Sequence, residues 1–129
     1  MTKKHILRAI LLFGLLVSSG AGVAAAGAYE DGWQAYNLRN FERAHEIWRP
    51  LAERGDARAQ LMVGLLYANG EGVGQDIQEA YMWFLIADAN GEPNASSLYE
   101  GATRLDELLT PEEKAAAERA ARNWRPKAD

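Results

Sequence analysis

Ala59-Gln-Leu-Met-Val-Gly-Leu-Leu-Tyr67, Asn69-Gly-Glu-Gly-Val73, Gln75-Asp76, Ala80-x-x-Trp83-Phe84-x-x-Ala87 and Gly91 follow one another in the middle of the chain. Two apolar runs flank a glycine-rich break. In the first run Ala59, Met62, Val63, Leu66 and Tyr67 fall three or four residues apart, which places them on one face of a helix. Gly70 and Gly72 suit the turn between two helices, because a residue without Cβ accepts left-handed backbone angles. Shifting the chain by 36 residues superposes Ala44 on Ala80, Ile47 on Trp83, Trp48 on Phe84, Leu51 on Ala87, Gly55 on Gly91 and Ala59 on Ala95. A repeat of this length is what stacked helix pairs produce, since one pair cannot bury its own apolar face.

The rest of the sequence agrees with this reading. From residue 27 onward only seven residues are β-branched, against 18 alanines and 10 leucines, a composition that favours helix and starves a sheet. Helical periodicity predicts segments over Tyr29 to Leu38, Phe41 to Arg54, Ala57 to Asn69, Ile77 to Asn90 and Ala95 to Leu109. A sixth, Thr110 to Trp124, opens on Thr110-Pro111-Glu112-Glu113, where the threonine hydroxyl caps free amides and Glu113 reaches back to complete a capping box. Asp76 with Glu79 repeats that pattern, Asn40 and Asp56 are simpler N-caps, and Gly55 and Gly91 sit where a helix ends in a left-handed residue.

The stretch quoted above resembles the Sel1-like repeat, a relative of the tetratricopeptide repeats with a longer loop between its helices. The resemblance covers roughly residues 41 to 96, with one near-complete unit and two partial ones, and the LTPEE tail is similar to the ends of many such proteins. It departs from the family at Gly72-Val73-Gly74 and decays after Ser97, so that residues 97 to 125 read as a C-terminal cap. The resemblance implies an all-α domain, a short α-solenoid of antiparallel helix pairs with capping helices, and adaptor work on a protein or peptide partner. Some cysteine-rich secreted relatives are associated with binding β-lactams, which makes a small-molecule binder or weak hydrolase the alternative reading; the absence of cysteine, and so of their disulfide-braced repeats, weakens it.

Residues 1 to 26 read as a secretory signal peptide: a basic start with Lys3, Lys4 and Arg8, an apolar run from Ala9 to Val17, and small residues with Ala24-x-Ala26 or Ala26-x-Ala28 at the cleavage site. The apolar run is too short to span a bilayer. Residues 27 to 129 are then one domain, expected in the periplasm or outside the cell. With three basic residues in the leader, that domain keeps 11 basic and 18 acidic residues, a net charge of −7, which argues against nucleic acid and anionic lipid.

Candidate chemistry is sparse. Glu42-x-x-His45 is half of a carboxylate-bridged metal motif without a second copy, and reads as a solvated polar face. Asp106-Glu107 and Glu112-Glu113 are adjacent carboxylates that point apart on a helix. The Gly70 to Gly74 run has no strand before it and no Gly-Lys-Ser/Thr after it, so it is not read as a nucleotide loop. No catalytic residue, cofactor or metal site is predicted. Trp48, Trp83 and Phe84 are expected in the core, and Gly64 is expected to permit close helix approach. Tyr81 to Ala87 is apolar without interruption, where the first repeat carries His45, Glu46, Arg49, Pro50 and Glu53. A helix apolar all round must be covered, by its own chain, by a partner on Tyr81, Met82, Leu85 and Ile86, or by a second copy.

Overall fold

A computed structural model describes residues 20–93, 95 and 105–128, with side chains from residue 27. Every regular element among them is a helix. We number them α1 (Gly20–Asn37), α2 (Phe41–Glu53), α3 (Ala57–Asn69), α4 (Ile77–Ala89) and α5 (Pro111–Asn123). The chain is all-α in these residues, as the composition implied. No helix among them is long and apolar enough to cross a membrane. The predicted signal peptide up to residue 19 lies outside the described residues, as does most of the segment expected from Ala95 to Leu109. The first helix begins at Gly20 and not at Tyr29, so it runs through both expected cleavage signatures.

Each helix from α2 to α5 starts where a side chain relieves its free amides. Asn40 accepts from the Arg43 amide, Asp56 from the amides of Arg58 and Ala59, and Asp76 from the Glu79 amide. Thr110 and Glu113 complete the expected capping box, at 3.1 Å and 2.9 Å. The second expected box does not close. Glu79 turns its carboxylate toward the Trp83 indole N–H at 3.1 Å, because an aromatic donor one turn along competes with the helix start.

The ends of α1 to α4 share one geometry. The left-handed residue is Arg39 (φ 61°) after α1, Gly55 (φ 107°) after α2, Gly70 (φ 66°) after α3 and Gly91 (φ 85°) after α4. The next amide reaches back to a last-turn carbonyl each time: Asn40 to Ala35 at 2.9 Å, and Asp56 to Leu51, Glu71 to Leu66 and Glu92 to Ala87 at 3.0 Å. The turns Leu51 to Asp56 and Ala87 to Glu92, one repeat apart in sequence, are the same turn in space.

Substantial packing runs between sequence neighbours: α1 on α2, α2 on α3, α3 on α4 and α4 on α5. One core cluster is built around Trp48, which is fully buried. The aromatic stripe of α1 clasps it, with the Trp33 ring edge-on at 5.7 Å and the Tyr29 and Tyr36 rings at 6.1 Å and 5.9 Å. The indole N–H donates to the Tyr29 carbonyl at 3.1 Å, and a side chain at Gly32 would collide with the indole. Burial of a tryptophan on this scale makes truncation to alanine cost about 3–5 kcal/mol. A second cluster gathers Leu61, Ala80, Phe84, Ala87 and Ala95. Here Gly64 does what its position implied, since a Cβ there would lie 2.7 Å from the Phe84 ring.

Candidate functional site

The apolar surface of α4 is divided among its neighbours. Trp83 and Ile86 enter the Trp48 cluster, while Ala80, Phe84 and Ala87 enter the second cluster. Of the four candidate partner-binding residues, Tyr81 and Ile86 are 6% and 2% exposed, so their side chains present almost no free surface. Met82 and Leu85 remain half-buried. Leu85 lies in a cleft of about 260 Å³ between α4 and α5, with Ala89 and Ala121 as apolar lining and Asp88, Glu118 and Arg122 as charged rim. Met82 opens on a second cleft with Asp76, Gln78, Glu79, Ala117 and Ala120.

Tyr81 reaches from α4 to α5. Its hydroxyl lies 3.5 Å from Glu118, and burial, reinforced by the charges of Asp106 and Glu118, holds its proton more tightly than usual. Asp106 is not the solvated carboxylate expected of it. One oxygen takes the Lys114 ammonium at 2.8 Å, and the other is buried without a hydrogen-bond partner.

A polar line across α2, α3 and α4 is the second arrangement of interest. His45, Arg49 and Glu53 follow one another at four-residue steps along α2. Arg49 joins the three helices. Its Nε donates to Glu53 at 2.8 Å, an Nη donates to the Tyr67 hydroxyl at 2.9 Å, Glu79 lies 3.9 Å away, and the guanidinium stands over the Trp83 ring at 5.4 Å. Glu53 stays charged to lower pH than an ordinary glutamate, chiefly through the Arg49 hydrogen bond and then through Lys127. The sequence marked these positions only as places where the first repeat is polar and the second is not. Their convergence depends on Tyr67 and Glu79, two side chains from other helices.

His45 departs from the solvated face predicted for it. It is half-buried, its ring meets the Tyr67 ring edge-on at 5.7 Å, and Nε2 is buried without a hydrogen-bond partner. Burial, then the Arg49 charge, makes it harder to protonate than a free histidine. Glu42, its partner in the metal half-motif, is exposed. Among the described residues no group of three His, Cys, Asp or Glu side chains is placed to hold a metal.

Gln60 was not singled out by any motif, yet it is fully buried and fully engaged. Its amide donates to the Ala52 carbonyl at 3.0 Å and its oxygen accepts from Asn90 at 3.0 Å, which bridges the two equivalent turns. A glutamine amid apolar neighbours at the start of an amphipathic helix was the available signal.

No protein-family model matches the chain, and comparison with curated proteins finds no match.

Proposed function

We propose that the chain is an exported interaction module, a short solenoid of antiparallel helix pairs of the Sel1-like kind, that holds a protein or peptide on its helical surface without turning it over. The observation that carries this is the α4–α5 cleft. Leu85 offers an apolar anchor that the chain's own helices leave partly open, and Asp88, Glu118 and Arg122 ring it with charge. An apolar centre inside a charged rim is the anatomy of a protein-docking surface. The acidic balance of the domain favours a basic partner and an association that weakens with salt. The turn geometry repeated at Leu51 to Asp56 and Ala87 to Glu92 supports the repeat reading.

The test is capture of partners from periplasmic extract with the unsubstituted domain and with Leu85→Glu. Leu85 is half-buried, so the variant must first give an unchanged far-ultraviolet circular dichroism spectrum. The expected outcome is a partner retained by the former and lost by the latter. Equal retention by both overturns the role of this cleft. A dilution-stable dimer that Leu85→Glu dissociates would assign the cleft to a second copy.

A further inference from the structure

After α5 the chain leaves the helix at Trp124 in an extended conformation (φ −62°, ψ 139°) and crosses the far end of α2. Three contacts define its seat. The Trp124 ring meets the Trp83 ring edge-on at 6.4 Å. The Lys127 amide donates to the Glu53 carbonyl at 2.7 Å, satisfying an acceptor that the end of α2 leaves free. The Lys127 ammonium pairs with the Glu53 carboxylate at 3.1 Å, where the negative end of the helix also favours a cation. Pro50 and Arg54 complete the seat, beside Lys127 and Ala128 of the segment itself.

Trp124 is half-buried against the core cluster, and the residues after it lie on the surface. Arg125, Pro126, Lys127 and Ala128 are all exposed, and the Arg125 guanidinium turns back to the carbonyls of Arg122 and Trp124 without gripping the domain. Pro126 keeps the strand extended, so little ordering is needed before it binds. The Lys127 side chain is 68% exposed, and exposed ion pairs of this kind hold weakly. Glu53, in contrast, is also held by Arg49, whose Nε donates to it at 2.8 Å.

We propose that this seat, formed by Glu53, Arg49 and Trp83, binds an extended segment of a partner protein that carries an aromatic residue three positions before a lysine, and that Trp124 to Lys127 of the chain itself occupies it until displaced. The proposal rests on the reading of the domain as a binder of protein segments, but it uses other residues and another probe than the Leu85 cleft, so the two fail separately.

The experiment titrates a fluorescein-labelled peptide of residues 122–128 against the full chain, read by anisotropy. In Lys127→Glu the tail is repelled from Glu53, and because the side chain is exposed the fold is unaffected. The peptide is expected to bind this variant about tenfold more tightly than the unsubstituted chain, since the resident tail no longer competes. Glu53→Gln and Glu53→Lys on the Lys127→Glu background are expected to weaken binding in that order. Peptides with tryptophan replaced by alanine, or lysine by glutamate, are expected not to bind. Equal affinity for the unsubstituted chain and Lys127→Glu, or no binding to either while circular dichroism is unchanged, overturns the proposal. A concentration-dependent dimer that Glu53→Lys abolishes would give the seat to the tail of a second copy and overturn the assignment to a foreign partner.

Discussion

His45 carries the clearest pH dependence in the molecule. Its proton affinity falls on folding below the ordinary value of 6.5, through burial first and the Arg49 charge second, while Glu46 and Glu53 oppose the shift. The unfolded chain therefore binds more protons below pH 6.5, and stability contributed by the neutral ring is full above that pH and lost as pH falls from it through the lower folded value. The only other histidine in the sequence is His5. Denaturant midpoints at pH 7.5 and 5.5 are expected to differ in the unsubstituted chain and to converge in His45→Phe; a difference that persists would assign it elsewhere. Loss of the Glu53 and Asp56 contributions belongs to a lower window, since both carboxyls are held below their ordinary values. Gln60 makes a second residue-scale prediction. Gln60→Leu removes two hydrogen bonds, one to the Ala52 carbonyl, which keeps the Gly55 amide, and one from the Asn90 amide, and is expected to cost about 1–3 kcal/mol by chemical denaturation. The histidine and the glutamine were hard to read in sequence for the same reason: a polar letter does not say which neighbour from another helix will close over it. Gly64 was readable because its inward position on an apolar face leaves little use for a glycine except close approach.

Helix starts and stops follow local chemistry, and there the sequence was most legible. Asn40, Asp56, Asp76 and Thr110 cap as their side chains dictate, and Gly55 and Gly91 turn left-handed as glycine permits. The exceptions come from competition that a local pattern does not contain. Glu79 leaves its own helix start for the Trp83 indole, and α1 starts at Gly20 because the small-residue stretch before Tyr29 continues its helix. Arg39 is the one end-residue of the four that is not glycine. A left-handed L-residue is strained, so Arg39→Gly is expected to raise stability by about 0.5–1 kcal/mol, net of the extra chain entropy glycine brings to the unfolded state. A fall would mean that the guanidinium over the Phe41 ring, at 5.6 Å, outweighs the strain. Thr110→Ala removes the one complete capping box among the described residues and is expected to cost about 1 kcal/mol, read in the same denaturation experiment.

Across the whole molecule, order is unevenly distributed. The helix α3 buries seven residues, whereas α5 buries Ala117 alone and, among the described helices, packs substantially on α4 alone. Local opening follows burial, so amides of Pro111–Asn123 are expected to exchange hydrogen well before those of Ala57–Asn69; equal protection would show that the chain opens as one unit. This is also the scale at which sequence reading ran out. Periodicity tells a helix which face to bury only when one face is polar, and from Tyr81 to Ala87 no face is. That Tyr81 and Ile86 are covered while Leu85 and Met82 are not depends on where α3 and α5 come to lie. The matched turns at Gly55 and Gly91 carry a further consequence for anyone wishing to lengthen this protein. Duplicating Gly55 through Asn90, 36 residues, and splicing the copy in frame after Asn90 would join Asn90 to a glycine just as the parent does. Every new junction would then reuse a bend the chain already makes, and Gln60 of the copy would find an Asn90 of its own.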